Sequence, residues 1–132
     1  MGNLAAKQGD MIVATDTHIV MIPSPGGPVP TPLPHPFVGQ IDSELSDNVN
    51  IDGQAAATEG SKASNSPPHI PQGGNFQNPP SDQGEIISGS SSVFINGKPA
   101  ARLGDSARTC NDPADAPVGQ VVVSVATVMI GG

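Results

Sequence analysis

Three histidines and one cysteine are the residues of this 132-residue chain whose types suit metal binding. Three imidazoles and one thiolate make a complete donor set for a closed tetrahedral zinc site. The gaps between them, 17, 34 and 41 residues, match no compact zinc-finger pattern, so their spacing gives no support for zinc. The candidates are His18, His35, His69 and Cys110.

The neighbours of these residues give more support, because they are residues typical of loops. His35 and His69 are flanked by prolines, and Cys110 is followed closely by Asp112-Pro113. A metal that joined such loops would stabilise a fold with little core, since the free energy of metal binding becomes free energy of folding. The surroundings therefore favour one shared site at one end of the molecule.

The residues alone leave other interpretations open. A loop histidine is commonly a solvated surface group, and a lone cysteine is commonly a small buried hydrophobe. His18 is the weakest candidate, because Thr17-His18-Ile19 also fits a strand with an outward-facing histidine. In that case Asp16 or a water molecule would complete the site.

Motifs for other chemistry are absent from the sequence. It contains no phosphate-binding loop, no dinucleotide fingerprint and no His-Glu-x-x-His helix. Asp10 and Asp105 each follow a glycine, which is typical of turns, while Arg102 suits a structural role holding carbonyl groups. We therefore expect no catalytic residues and a protein that is not an enzyme.

The composition excludes several classes of protein. The 16 glycines and 15 prolines are too many for a helix bundle. Aromatic residues make up 2% and charged residues 13%, so a wide conventional core is not expected. A net charge of −7 with five Lys and Arg argues against nucleic acid, and no signal-peptide pattern is visible, so we expect synthesis in the cytoplasm.

The elements that must position the candidate ligands are short and rich in turns. Residues 11–14 and 19–22 are strand candidates. The segment 23–38 is rich in proline, and we expect its run of prolines to form an extended polyproline II rod. Residues 61–83, which are rich in Ser, Asn, Gln, Pro and Gly, are expected to form a long loop.

An internal repeat organises the rest of the chain. Residues 49–63 align with 93–107 at a constant offset of 44, and Val, Ile, Gly, Ala, Ala, Gly and Ala coincide. Residues 119–132 and 5–10 supply the two halves of a third copy. Asp52-Gly53 and Asn96-Gly97 are typical of tight hairpins. We therefore predict three β-hairpin units in a closed, pseudo-threefold object.

The second unit resembles the PAAR family, which is named for its Pro-Ala-Ala-Arg motif. That motif stands at 99–102 within the longer phrase 89–105, whereas the first unit reads Gln-Ala-Ala-Ala at 54–57. The resemblance implies a single all-β domain over 1–132, shaped as a small cone with long Pro-rich loops and a metal-stapled apex. It also implies one zinc per chain, held by the three histidines and Cys110.

The same resemblance implies a structural role in type VI secretion or a related contractile injection system. The protein would be a monomer on its own and would cap a trimeric VgrG-like spike, one cap per trimer, because three internal units match three subunits. It would aid membrane puncture and effector delivery outside the producing cell. The apolar segment near the chain's end is the candidate spike contact: Val121, Val123, Val125, Val128 and Ile130.

Two alternative functions remain at this level. A small zinc hydrolase would need an open metal position for water, which a site with four protein ligands lacks. A non-covalent effector carrier or adaptor on the spike would use an exposed segment such as 61–83 to dock cargo.

Overall fold

The computed structural model describes residues 2–132, which contain thirteen β-strands and no helix. Among these residues no helix is long and apolar enough to cross a membrane. The strands are β1 (Asn3–Leu4), β2 (Met11–Ile22), β3 (Val29–Ser43), β4 (Asn50–Ile51), β5 (Gln54–Ala55), β6 (Lys62–Asn65), β7 (Asn75–Phe76), β8 (Gln83–Ile86), β9 (Phe94–Ile95), β10 (Lys98–Pro99), β11 (Ser106–Thr109), β12 (Ala116–Val122) and β13 (Met129–Ile130).

Six strands form a small closed barrel. Their order is β12-β11-β8-β6-β3-β2, and pairing of β12 with β2 closes the ring. Closure removes the open sheet edges that would otherwise attract other strands. Inward-facing positions alternate with outward-facing ones along each strand, and the interior is filled by apolar side chains that include Ile12, Phe37, Ile41, Ala63, Ile86, Ala107 and Val121.

A single long hairpin extends from the barrel toward the candidate ligands. The predicted strands 11–14 and 19–22 are parts of one strand, β2, which pairs with β3 from Met11 opposite Gln40 to Ile22 opposite Val29. The prediction of a polyproline II rod was therefore wrong, because the proline-rich segment is a paired strand. The predicted long loop 61–83 likewise contains β6 and β7.

The prolines are tolerated in β3 because of their spacing. Successive residues of an antiparallel strand direct their backbone groups to opposite sides. Val38 faces away from β2, since its N–H donates to Asn65 Oδ1 at 2.9 Å and its carbonyl accepts from the Ser66 N–H at 3.1 Å. The prolines that lie an even number of residues from Val38 also direct their backbone nitrogen away from β2, so their missing N–H removes no hydrogen bond to that strand. They are Pro30, Pro32, Pro34 and Pro36.

Three short hairpins lie at the opposite end of the barrel. They pair β4 with β5, β9 with β10, and β1 with β13, so the third is completed by the two halves that the repeat predicted. A ring of backbone hydrogen bonds joins the units: Ala6 N–H to Ala101 O at 3.0 Å, Ala101 N–H to Ala57 O at 3.1 Å, and Ala57 N–H to Ala6 O at 3.0 Å. The predicted pseudo-threefold β-hairpin fold is thereby confirmed.

Each unit continues from this ring through the same turn. Gly9, Gly60 and Gly104 have φ values of 93°, 97° and 92°, a region that favours glycine. Their N–H groups donate to the carbonyls of Ile41, Ile86 and Val121 at 3.0, 2.8 and 2.9 Å. The carboxylates of Asp10 and Asp105 accept backbone N–H groups within these turns, as their positions after glycine indicated.

The structure predicts that two phenylalanines contribute very differently to the free energy of unfolding. Phe37 is fully buried against Gly84, where an added Cβ would come within 3.1 Å of its ring. We expect Phe37→Ala to lower the free energy of unfolding by about 3–5 kcal/mol, because it opens a cavity in the barrel. Phe94→Ala is the matched control, since Phe94 is 56% exposed, and its effect should stay within about 0.5 kcal/mol. Denaturant unfolding of both variants measures this, and equal losses would contradict the burial of Phe37 in the barrel core.

Candidate metal centre

The long hairpin and two loops bring the candidate ligands together. His18 lies on β2, where Asp16 occupies the previous inward-facing position, and His35 lies on an inward-facing position of β3. His69 follows β6 and Cys110 directly follows β11. The loops that carry these last two residues return to the hairpin, so residues far apart in the sequence become neighbours.

The three imidazole rings surround a common point. Their centres are separated by 4.9 Å between His18 and His69, and by 5.5 Å from His35 to each of them. With Zn–N bonds of about 2.0–2.1 Å, two imidazoles at a tetrahedral angle have ring centres about 5 Å apart. The observed spacing of the rings therefore fits three histidine ligands on one metal ion.

A buried group of four potential donors lies at this place. One donor atom from each of Asp16, His18, His69 and Cys110 lies within 4.8 Å of the others, and all four residues are buried. Such a cluster could hold one metal ion. It contains three of the four predicted ligands, whereas His35 stands beside it and Asp16 occupies the fourth position.

His18 carries the clearest sign of a missing partner. Its side chain is 1% exposed, and neither ring nitrogen makes a hydrogen bond within residues 2–132. The nearest carboxylate oxygen, Asp112 Oδ2, is 3.5 Å from Nδ1. A buried polar group without a partner is costly, and a bound metal ion would remove that cost.

The other two imidazoles are oriented by hydrogen bonds. His35 Nδ1 lies 2.9 Å from the carbonyl oxygen of Leu33. Because a carbonyl only accepts, Nδ1 carries the proton and Nε2 keeps its lone pair. The ring of His69 is held at Nδ1, which accepts a hydrogen bond from Asn65 Nδ2 at 3.2 Å, and its backbone N–H donates to Asp82 Oδ1 at 2.9 Å. Contacts of this kind orient the ligands of a metal site.

Asp16 is the residue of the cluster with the most contacts. Its side chain is fully buried, and Oδ1 accepts a hydrogen bond from Thr109 Oγ1 at 2.5 Å. Its Oδ2 lies 3.0 Å from His69 Nε2 and 3.4 Å from Cys110 Sγ. One buried carboxylate thus touches two of the candidate ligands.

Burial sets the protonation of the metal-free site. It raises the pKa of the Cys110 thiol to about 12, and the neighbouring negative charge of Asp16 acts in the same direction. Burial also lowers the pKa of His18 below 6.5, against the opposing effect of Asp112. Near neutral pH the imidazole is therefore ready to bind a metal, whereas the thiol must release a proton on binding.

The residues predicted to contact a spike fall into two groups. Val121, Val123 and Ile130 are at most 5% exposed and belong to the core. Val125 and Val128 are exposed, by 72% and 40%. Two further apolar side chains on the short hairpins, Phe94 and Met129, are also exposed; the sequence did not single them out, because their alternation with buried isoleucines is visible only once the hairpin register is known.

Comparison with known proteins agrees with this architecture. The family model described as PAAR motif matches residues 77–132. That stretch includes the second hairpin, Cys110 and the last strand. Curated proteins provided no match to the chain.

The site predicts a metal-loaded protein that depends on Cys110. We expect elemental analysis for zinc and iron to find about one metal ion per chain, and chelation to lower the thermal midpoint. With Co²⁺ as the probe, Cys110→Ser should abolish the near-ultraviolet thiolate absorption and weaken binding beyond the about 10- to 100-fold effect of an outer-contact residue. Asp115→Asn, in the neighbouring exposed loop, is the control. An unchanged Co²⁺ spectrum in Cys110→Ser would contradict the assignment.

The pKa shifts predict a stability plateau for the metal-free protein. Below pH 6.5 the unfolded chain binds a proton at His18 more readily than the native state, so stability should fall as the pH falls. From pH 9.0 to about 12 the native state keeps the Cys110 proton that the unfolded chain loses, so stability should fall as the pH rises. Urea unfolding of chelator-treated protein tests this. Cys110→Ala should flatten the alkaline decline alone, and an identical decline in that variant would contradict it.

Proposed function

We propose, from the match of residues 77–132 to the family model described as PAAR motif, that the protein is the structural tip of a contractile injection system and caps a trimeric VgrG-like spike. The family match supports a spike-tip role in these machines generally. The observation that carries the finer proposal is the pseudo-threefold base, in which one chain offers three related hairpins. We regard residues 1–132 as one PAAR-like domain.

A single cap on a trimer must present similar edges to three identical subunits. The backbone ring of Ala6, Ala57 and Ala101 arranges the hairpins for this purpose. Their outer strand edges are available to pair with strands of a partner. At the equivalent outward positions lie Asn50, Phe94 and Met129, of which the last two are 56% and 60% exposed. We propose these side chains, with Val125 and Val128, as the spike contact.

The end of the molecule that carries the candidate metal centre has the properties of a stiff point. Residues 17–41 and 66–81 contain no Asp, Glu, Lys or Arg. Segments without charged residues lower the cost of entering a bilayer, where charged groups are expensive. The paired prolines of β3 and a metal joining hairpin and loops restrict motion at this end. These features support a role in membrane puncture.

We propose zinc, one ion per chain, as the metal. Thiolate and imidazole donors suit zinc, and four protein ligands form a closed structural site. His18, His69 and Cys110 belong to the observed cluster. His35 is proposed as the fourth ligand because its ring lies 5.5 Å from those of His18 and His69, and its Nε2 makes no hydrogen bond within residues 2–132.

A closed site also favours a structural role over catalysis. Catalytic zinc keeps a position for water, which this donor set would fill. The family is structural, so we propose that the protein is not an enzyme. It would assemble on the injection apparatus as a monomeric cap and leave the cell with the spike.

The proposal predicts one cap per spike trimer. Native mass spectrometry of the protein mixed with the trimeric spike of its own machine should show a single added chain. Phe94→Asp and Met129→Asp should each weaken binding by about tenfold or more, because a charge would be desolvated in the interface. Val118→Asp, on the exposed barrel wall, is the matched control. Three caps per trimer would contradict the proposed base. So would weaker spike binding by Val118→Asp together with unchanged binding by Phe94→Asp and Met129→Asp.

A further inference from the structure

One position of the pseudo-threefold fold is filled by a basic side chain in two units and by a short neutral one in the third. Lys7, Thr58 and Arg102 each directly follow an alanine of the backbone ring. All three take part in equivalent isolated bridges between units. The fold therefore places these three residues in matching environments, and their difference is one of side chain alone.

Lys7 and Arg102 use their charge within the protein. Lys7 Nζ donates to the Val125 carbonyl at 2.6 Å and lies 3.2 Å from Asp10 Oδ2. Arg102 Nη2 lies 2.9 Å from Asp105 Oδ1, and Nη1 donates to the Gly131 carbonyl at 3.3 Å. Each cation is thus neutralised by a carboxylate three residues later and reaches the backbone beside the third hairpin.

The first unit contains the equivalent turn, but Thr58 stands where the other two units have a cationic side chain. The Thr58 N–H donates to Ser61 Oγ at 3.0 Å, in the place of the aspartates in the other two turns. Ser46 is the counterpart of Val125, because Val49 and Val128 accept equivalent hydrogen bonds from Ala56 and Ala5. The space that Lys7 fills beside Val125 is therefore open between Thr58 and Ser46.

A cavity of about 310 Å³ occupies this place, which we call the Thr58 notch. A space of this size suits a long side chain better than a bare ion. The residues that line it include Glu44, Ser46, Asp47, Thr58, Asn96 and Lys98.

The charge of the notch matches the missing cation. Within residues 2–132, neither Glu44 nor Asp47 has a cationic nitrogen within 4.0 Å, and Lys98 forms no ion pair. Two carboxylates and one ammonium leave a net negative charge. Two independent features indicate a cationic ligand for the notch. One is the cation present at the equivalent position of the other two units, and the other is the pair of carboxylates that have no cationic partner.

We propose that the Thr58 notch binds one arginine or lysine side chain of the spike protein. This inference rests on the proposed function, because Ile95 and Asn96 place the notch on the hairpin end of the molecule. A trimeric spike would offer three copies of that side chain. One copy enters the notch, and the other two meet positions already filled by Lys7 and Arg102.

The first test fills the notch from within. Thr58→Lys should supply the missing ammonium as Lys7 does, keep or raise the thermal midpoint, and weaken binding to the spike trimer by about tenfold. Thr15→Lys, which adds the same charge at an exposed position of β2, is the control and should bind as the parent protein does. Binding is measured by titration calorimetry.

A second variant leaves the buried residues untouched. Glu44→Gln with Asp47→Asn removes both exposed carboxylates, and it should weaken binding about threefold to tenfold while reducing its salt dependence. Folded variants that bind like the parent protein would overturn the notch and leave the spike-tip role intact. Failure of the parent protein itself to bind the spike would overturn both.

Discussion

Three backbone hydrogen bonds among Ala6, Ala57 and Ala101 form the constraint on which the rest of the structure depends. They lie where the three units meet, and all three alanines are fully buried. A larger side chain at this junction would force the units apart, because closely packed interiors tolerate little extra volume. With the ring closed, each unit can send one hairpin outward and one strand connection into the barrel. The chain thereby obtains threefold regularity without a second copy of itself.

The two ends of the molecule are stabilised by different interactions. At the hairpin end, one small apolar cluster that includes Ile51, Ile95 and Ile130 suffices, because the backbone ring supplies order. At the other end the hairpin of β2 and β3 extends beyond the barrel core, and its neighbours are loops. There the histidines and Cys110 occupy the interior where apolar side chains would otherwise be needed. A metal ion bound there would take the part of a core.

Sequence reasoning reached the features that repeat or that carry chemistry. The offset of 44 residues and the matching chain ends predicted three units, and the residue types of His18, His69 and Cys110 predicted their convergence. The proline segment was misinterpreted, because strand pairing at alternate residues depends on a partner strand that the local sequence does not reveal. Asp16 was considered only as a substitute for His18, since its contacts arise from residues about 50 and 90 positions away. The repeat aligns Thr58 with Arg102, but the Thr58 notch could not be predicted, because the sequence does not show the open space beside Ser46 or the carboxylates that line it.

The central claim is that the alanine ring organises the fold, and native-state hydrogen exchange of its amides tests that claim most directly. The account predicts that the amides of Ala6, Ala57 and Ala101 exchange together, in the slowest class, through global unfolding alone. The amides of the short hairpins should exchange faster by local opening. Fast or unequal exchange of the three ring amides, in a protein whose barrel amides stay protected, would contradict the account.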